Sequence, residues 1–270
     1  MLSARVSSAA PARATSGQGL TGGSLIMNAD DWGRSPETTD RILACCEHKS
    51  LSSVSAMVFM EDSERAAALA RERNIDAGLH LNFTTPFSGG SSPTMLREHQ
   101  QRIARRLQRH RLSPVVFYPE LIRSFEYVVS VQLDKFVHLY GAAPLRVDGH
   151  HHMHLCSNVV LGRLLQAGTV VRRNFSFEPG EKSFVNRLYR RAIDRFLSRR
   201  HLLTDFFFSL APLAPAERLD HIFSLSRHSV VEVETHPANP EEYRFLTGGT
   251  FRQISGCDIA SSFAASLNGN

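Results

Sequence analysis

From Ser24 onward, short apolar runs alternate with longer segments of helical periodicity, and this alternation constrains the fold more than any other feature. The first predicted strands and helices lie at 24–30, 36–48, 54–59, 61–73 and 75–83. Ser35 followed by Pro36 predicts the start of the first helix, because serine caps helix N-termini and proline is tolerated at the first helical position. Repeated strand–helix units predict an α/β fold with a mainly parallel sheet.

The rest of the chain continues this alternation. A loop rich in turn-forming residues at 84–95 follows the third strand, and a helical stretch from about 96 to 140 is broken near "SPVVFYP". A fourth strand is predicted within "LRVDGHHHMHL" (145–155). The remaining predicted elements are helices 158–167, 183–200 and 214–226 and strands 168–175 and 229–235.

Length and composition are compatible with one domain. The 270 residues, of which 42% are hydrophobic, suffice for one substantial core, so we expect a single catalytic domain over 24–270. Residues 1–23 contain no acidic residue and are interpreted as a disordered leader or a misassigned start. The four cysteines form no CxxC pair, which argues against a disulfide framework and a cysteine zinc site. We expect a cytoplasmic protein.

A formal net charge of +5 raises the alternative of a basic module that binds nucleic acid or anionic lipid. The arginines concentrate in "RIARRLQRHR" (102–111) and "RLYRRAIDRFLSRR" (187–200). Both stretches are explained more simply as amphipathic surface helices, so no nucleic-acid partner is expected. Peripheral membrane contact through 187–200 is kept as a hypothesis.

Four clusters of polar residues fall at the ends of predicted strands. They are Asn28, Asp30 and Asp31; His80 and Asn82; Asp148 with His150, His152 and His154; and Glu234, Thr235 and His236. In a barrel-like or wound parallel sheet, the carboxyl ends of all strands converge on one face. The sequence therefore predicts one site to which all four clusters contribute.

The stretch "DGHHHMH" (148–154) is the most unusual of these clusters. If it continues the fourth strand, the alternation of side chains puts His150, His152 and His154 on one face. If this cluster binds a metal ion, the histidine nearest the ion can be a ligand, and the other histidines can support the site. Asp148 can orient a histidine ligand by accepting a hydrogen bond from the second ring N–H of that histidine. By the same alternation, Asp30 and Asp31 are expected to point in different directions.

One aspartate and two histidines would leave coordination positions open, as a hydrolytic metal site requires. This ligand set suits Zn²⁺ and also Mn²⁺, Fe²⁺, Co²⁺ or Ni²⁺. The spare carboxylate of Asp30 and Asp31 could act as general base, and His236 could protonate a leaving group. The residues alone thus indicate a mononuclear metal hydrolase, with a phosphoesterase as the alternative, although no second carboxylate set for a two-metal site is found.

Four motifs in order resemble the YdjC-like carbohydrate deacetylases, which include chitooligosaccharide deacetylases and hopanoid-biosynthesis-associated deacetylases. They are "NADDWG" (28–33), "GLHLNFT" (78–84), "VDGHHHMHL" (147–155) and "VEVETHPANPEEY" (231–243). The resemblance implies a distorted (β/α) barrel related to polysaccharide-deacetylase barrels. It also implies removal of the N-acetyl group from an N-acetylglucosamine-containing oligosaccharide or glycolipid with one divalent metal, most readily Mg²⁺ or Zn²⁺.

Carried onto this chain, the resemblance makes Asp31, His80 and His150 the metal ligands, Asp30 the base and His236 the acid. Substrate contacts or support of the site are expected from Asn28, Trp32, Asn82, Asp148, His152, His154 and Glu234. Trp32, Phe83 and Phe87 are candidate stacking surfaces for a sugar, with core packing favoured for Phe83. A homodimer is a further possibility.

Overall fold

The structure is a computed structural model that describes residues 23–177, 181–249, 251, 259–263 and 266. In the described part of the chain, seven strands form one parallel sheet in the order β5-β4-β3-β2-β1-β7-β6. The strands are β1 (Ser24–Trp32), β2 (Ser53–Ala56), β3 (Ala77–Leu81), β4 (Arg146–Gly149), β5 (Val170–Val171), β6 (Phe206–Ser209) and β7 (Val230–Thr235). The leader predicted for 1–23 lies outside the described residues apart from Gly23.

Helices on the outside of the curled sheet complete a half-barrel, so the predicted distorted α/β barrel is confirmed. The α-helices are α1 (Pro36–Glu47), α2 (Ser63–Arg73), α3 (Thr94–Leu107), α4 (Ile122–Tyr140), α5 (Ser157–Gly162), α6 (Phe184–Leu197), α7 (Ala216–Leu225) and α8 (Pro240–Thr247). None of the described helices is long and apolar enough to cross a membrane.

The first strand and helix show why the sequence folds this way. After its first residue, β1 is buried on both faces, as expected for a central strand of a parallel sheet. The Ser35 side chain accepts a hydrogen bond from the Thr38 backbone N–H at 3.3 Å, and Pro36 occupies the first helical turn. The predicted cap of α1 is therefore confirmed.

The edges of the sheet approach each other through the segment that follows β5. Val171 donates its backbone N–H to Leu202 O at 2.9 Å, and Ser176 donates its N–H to Phe207 O of β6 at 2.8 Å. The rings of Phe175 and Phe207 stack with centroids 4.6 Å apart. These contacts narrow the open side of the half-barrel next to the carboxyl ends of the strands.

The largest departure from the sequence prediction follows β4. The strand ends at Gly149, and His150–Leu155 form a 3₁₀ helix with His151 and His152 at φ values of 54° and 57°. A Cβ atom at Gly149 would lie 3.0 Å from the His154 Cβ, so the chain folds back tightly on the strand end. The prediction that three histidines share a strand face was therefore wrong.

Two elements, β6 and α8, were not predicted, and β5 is shorter than the predicted strand at 168–175. The aromatic run of β6, "FFFS", carries no alternation of apolar and polar residues by which to recognise a strand. The N-cap of α8 is Asn239, whose side chain accepts a hydrogen bond from the Glu241 N–H at 2.9 Å. That cap and Pro240 are a recognisable helix start.

A glycine in β3 leaves room for a buried arginine beneath the sheet. Arg146 donates to Asn28 Oδ1 and to the Val54 carbonyl, both at 2.7 Å, and its guanidinium lies under Gly78. A Cβ atom at Gly78 would meet the guanidinium at 2.7–2.9 Å, which is closer than real contacts allow. Because both terminal nitrogens of its guanidinium are hydrogen-bonded, Arg146 cannot move away freely.

We therefore expect Gly78→Ala to lower the free energy of unfolding by about 1–3 kcal/mol, the usual cost of overpacking. Gly90→Ala is the matched control, because a Cβ there has nothing within 4 Å. The control should change stability by less than about 1 kcal/mol. Chemical denaturation of both variants measures the difference, and equal stabilities would contradict this account of Gly78.

Candidate active site

A bulge at the end of β1 aims two neighbouring carboxylates at one histidine. The register between β1 and β2 slips between Ala29 and Trp32, and Asp31 adopts a left-handed backbone conformation with φ 68°. As a result, Asp30 Oδ2 and Asp31 Oδ1 lie 3.9 and 3.6 Å from the same atom, His80 Nε2. The expectation that these carboxylates diverge was wrong, because it assumed an unbroken strand.

Asp31, His80 and His150 form a buried cluster. Asp31 Oδ1 lies 3.0 Å from His150 Nδ1, and the two imidazole rings are edge-to-face with centroids 5.6 Å apart. Asp31 Oδ1 also lies 3.6 Å from His80 Nε2 and therefore faces two imidazole nitrogens. One carboxylate oxygen and two imidazole nitrogens are ligand atoms that this cluster can offer to a cation.

Asp148 orients His80 from the other side of the ring. Its Oδ1 lies 2.7 Å from His80 Nδ1, and its Oδ2 accepts from Ser55 Oγ at 2.5 Å. Burial raises the pKa of Asp148, but Arg172 and His80 outweigh it and hold that pKa below its usual range. An ionised Asp148 favours a hydrogen bond from His80 Nδ1–H, and His80 Nε2 faces the two aspartates.

The centre of the site is an arginine that the motif analysis missed. Arg172, the residue after β5, is fully buried and contacts carboxylates from three other strands. It donates to both oxygens of Asp30 at 2.7 and 2.8 Å, to Glu232 at 2.8 Å and to Glu234 at 3.1 Å, and it lies 3.0 Å from Asp148. A charged residue inside a predicted buried strand was the available signal, because it requires a carboxylate partner.

The pKa values around Arg172 follow from burial and this one cation. Burial raises the pKa of Asp30, but Arg172 outweighs it and holds the pKa well below the usual range. Burial, reinforced by Asp30, raises the pKa of Glu234 well above its usual value. For His80, burial lowers the pKa, but Asp30 and Asp148 outweigh it and raise it. The same carboxylates that favour a proton on His80 would favour a metal cation at Nε2.

Glu234 and two further histidines form the other side of the site. Glu234 Oε2 lies 3.5 Å from His152 Nε2, and Glu234 Oε1 lies 3.9 Å from His236 Nδ1. The His236 side chain is 39% exposed, and its backbone N–H donates to Glu242 Oε2 at 2.8 Å. His236 therefore combines access to solvent with a backbone fixed by a buried carboxylate.

Asn28, a predicted site residue, supports Asp30 rather than facing the opening. Its amide donates to Asp30 Oδ1 and to Ser55 Oγ, both at 2.8 Å, while its Oδ1 accepts from Ser53 and Arg146. Ser55 was not predicted. Asn28 thus links the site to Arg146, the buried arginine that packs against Gly78 of β3.

Four residues expected at the site, Trp32, Asn82, Phe83 and Phe87, do not face its opening. Trp32 and Phe83 are fully buried in the core, and Phe87 is buried against Phe59 with ring centroids 5.7 Å apart, so none offers an open face for a sugar. The Asn82 side chain is fully buried and accepts from the Thr84 and Thr85 N–H groups, which shapes the loop after β3. The expected stacking role of Trp32 is therefore wrong, because the turn after the bulge directs its ring inward.

His154 also turns away from the cluster. It is fully buried, lies 3.0 Å from the Arg172 carbonyl through Nε2, and has a pKa lowered to about 4 by burial. His151 Nδ1 lies 3.0 Å from Thr84 Oγ1. Of the histidines in 150–154, His150 alone is within reach of Asp31, because the 3₁₀ turn sends the others in different directions.

A groove of about 250 Å³ lies beside the histidines. His151, His152, Phe175 and Tyr189 are among its lining residues. The aromatic rings here are Phe175 and Phe207, whose centroids lie 4.6 and 5.9 Å from that of His152. The partly exposed aromatic face beside the groove is thus that of Phe175, which stacks on the buried ring of Phe207.

Among the described residues, three groups have atoms close enough together to hold a metal ion. They are Asp31 with His80 and His150; Asp30 with His80 and Asp148; and Asp30 with Glu234 and His236. The second and third groups use carboxylates that Arg172 already neutralises. The first group fits a cation best, since Asp31 Oδ1 faces His150 Nδ1 at 3.0 Å and His80 Nε2 at 3.6 Å, while Arg34 binds only Asp31 Oδ2.

Comparison with known families is consistent with this arrangement of motifs. The model of a family described as YdjC-like protein matches residues 24–256, which is most of the chain. The chain belongs to the YdjC-like family. The resemblance inferred from the four sequence motifs is thereby confirmed.

Relatives of this YdjC-like protein include two bacterial enzymes. A chitooligosaccharide deacetylase from Serratia marcescens is 33% identical over 135 residues, which cover 48% of this chain and 50% of that protein. A carbohydrate deacetylase from Brevibacillus brevis is 29% identical over 247 residues, which cover 90% of this chain and 92% of that protein. The matched part of this chain thus spans about half the length of the Serratia relative.

A solved structure shares the fold of this YdjC-like protein. It is a protein from Enterococcus faecalis V583, provisionally assigned to cellobiose-phosphate cleavage, with a TM-score of 0.66 and 15% identity. The match covers 92% of this chain and the whole of the other. At this identity, the likeness establishes the fold alone.

Replacing Arg172 tests its place at the centre of the site. Arg172→Met should lower the free energy of unfolding by about 3–5 kcal/mol, because it leaves several buried carboxylates without their cation. Arg65→Met is the control, since Arg65 is 44% exposed in its pairs with Asp40 and Asp62 and should cost at most about 1 kcal/mol. Urea unfolding measures both, and a neutral Arg172→Met would contradict the assigned network.

Proposed function

We propose that this protein is a metal-dependent carbohydrate deacetylase, which hydrolyses the N-acetyl group of an N-acetylglucosamine-containing substrate. The observation that carries the proposal is the buried cluster of Asp31, His80 and His150, whose carboxylate oxygen and imidazole nitrogens face one another beside the ionised Asp30. The names of the relatives, chitooligosaccharide deacetylase and carbohydrate deacetylase, supply the acetyl group and the sugar. The residues by themselves indicate a hydrolase with one metal.

Asp31, His80 and His150 would hold the metal. One carboxylate and two imidazoles suit Zn²⁺ and other first-row divalent ions, and they leave positions open. A divalent ion there would polarise the acetyl carbonyl and make a water more acidic. Asp148 would keep His80 in the tautomer that presents Nε2, because its Oδ1 accepts a hydrogen bond from Nδ1–H.

Asp30 would be the general base. Both of its oxygens accept from Arg172 and one also accepts from Asn28, so its orientation is fixed before substrate binds. Its lowered pKa keeps it ionised at neutral pH and able to accept a proton from the attacking water. Its Oδ2 lies 3.9 Å from His80 Nε2, so as the base it would act next to the ligands.

His236 would protonate the departing amine. Its ring is partly exposed at the mouth, and Nδ1 faces Glu234 Oε1 at 3.9 Å, so the ring would lie where a proton can be passed to the leaving group. The hydrogen bond from the His236 N–H to Glu242 fixes the backbone after β7. Glu242 would thus position His236 without touching the substrate.

The direct test is acetate release from diacetylchitobiose by the purified protein, before and after chelation of divalent metals. We expect chelation to abolish release and one of Zn²⁺, Mg²⁺, Mn²⁺, Co²⁺ or Ni²⁺ to restore it. Full activity after complete removal of metal would disprove the metal dependence. Absence of acetate release from this substrate and from longer N-acetylated oligosaccharides, with metal bound, would count against the deacetylase itself.

Two substitutions separate the base from the ligands. Asp30→Asn should lower kcat at least about a hundredfold while metal still binds, because the amide cannot accept the proton. His150→Ala should abolish both metal binding and turnover. Calorimetric metal titration and acetate release measure the two effects.

Matched controls use the same changes at the surface. Asp40→Asn, with a 62% exposed side chain, and His228→Ala, at an exposed position, should behave as the unmodified protein does. Normal turnover in Asp30→Asn would show that another group is the base. Undiminished metal affinity in His150→Ala would remove His150 from the ligand set.

A further inference from the structure

Two stretches of exposed apolar side chains adjoin the groove beside the histidines. Val115, His151, His152 and Tyr189 of α6 are among the residues that line this groove. Val115 and the sequence neighbours of Val115 and Tyr189 include large apolar side chains with exposed fractions of about one third to three quarters. They are Val115 (44%), Val116 (48%), Phe117 (36%), Phe184 (70%), Val185 (75%) and Leu188 (55%). These six residues are called the apolar rim below.

Cationic side chains accompany the apolar rim on both sides. The stretch 99–119, which includes Val115–Phe117, contains five arginines and no acidic residue. The stretch 182–193, which includes the α6 part of the rim, contains Lys182 and three arginines and again no acidic residue. Arg109, Arg111, Lys182 and Arg191 are all exposed. The two stretches that carry the apolar rim therefore combine exposed apolar side chains with exposed cationic ones.

This combination fits one kind of partner. Apolar side chains that enter the boundary of the acyl chains, together with cations that meet phosphate groups, are the features of proteins that lie on anionic membranes. A nucleic acid would satisfy the arginines but would leave Val185 and Leu188 in water. Large exposed apolar side chains grouped beside one groove mark an interaction surface.

We propose that the apolar rim docks on an anionic phospholipid bilayer. Val185 and Leu188 enter the membrane interface, and the surrounding lysine and arginine side chains bind headgroup phosphates. In this orientation the groove beside His151 and His152 opens toward the headgroup layer. The proposal concerns a surface and its partner, so it stands or falls independently of the deacetylase reaction.

Vesicle co-sedimentation tests the proposal with the whole chain. We expect little binding to pure phosphatidylcholine vesicles and strong binding when phosphatidylglycerol makes up half of the lipid. The binding should weaken as salt is added, because salt screens the attraction between arginines and phosphates. Equal binding to both kinds of vesicle, or no binding to either, would overturn the proposal.

Two sets of substitutions locate the binding surface. The double variant Val185→Ser/Leu188→Ser should lower the partition coefficient on the anionic vesicles by roughly tenfold, because it removes apolar groups that enter the interface. Leu145→Ser is the matched control: Leu145 is 69% exposed and immediately precedes β4, at the opposite end of the sheet from the site. This control should bind as the unmodified protein does.

The remaining outcomes distinguish other occupants of the rim. Unchanged vesicle binding in Val185→Ser/Leu188→Ser, with circular dichroism showing a native fold, would overturn the proposal. So would a dimer in sedimentation analysis that this double variant dissociates, because the rim would then be covered by a second copy. Binding to duplex DNA that competes fully with vesicles and is unaffected by the double variant would assign the arginines to nucleic acid and overturn the proposal.

Discussion

The arrangement of the site depends on one guanidinium group in the interior of the half-barrel. Arg172 contacts Asp30 of β1, Asp148 of β4 and Glu232 and Glu234 of β7, and its guanidinium also lies 4.9 Å from the centre of the Phe207 ring. Desolvating such charges is costly, and a buried ion pair is often no more stabilising than apolar residues of the same volume. We interpret the network as a device that fixes carboxylates in place rather than as a source of stability.

The two adjacent aspartates differ in their contacts with arginine. Both oxygens of Asp30 are occupied by the arginine, so this carboxylate is ionised and rigid. Asp31, its neighbour in sequence, receives one hydrogen bond from Arg34 at Oδ2, while its Oδ1 faces His150 Nδ1 at 3.0 Å and His80 Nε2 at 3.6 Å. In the proposed mechanism, one aspartate would move a proton and the other would bind a cation. The bulge in β1 brings the two within reach of one imidazole.

Much of the fold and part of the site follow from the sequence. The alternation of strand and helix patterns predicts a parallel sheet, and in such a sheet the strand ends bearing Asp31, His80 and Asp148 must converge. The bulge at Asp30 and Asp31 and the 3₁₀ turn after Gly149 were not predictable in this way. Side-chain alternation holds only for an unbroken strand, and both departures involve left-handed residues other than glycine, namely Asp31, His151 and His152. Arg172 escaped the motif analysis because its partners are distant in sequence.

The most direct test of this account is a crystal structure of the protein grown with Zn²⁺ or Mn²⁺ and measured at the absorption edge of the metal. The account predicts one anomalous peak about 2.0–2.2 Å from a carboxylate oxygen of Asp31 and from one nitrogen each of His80 and His150. Asp30 should remain bound to Arg172 outside the coordination sphere. A peak between Asp30, Glu234 and His236, or none near His80, would contradict the division of the two aspartates into base and ligand.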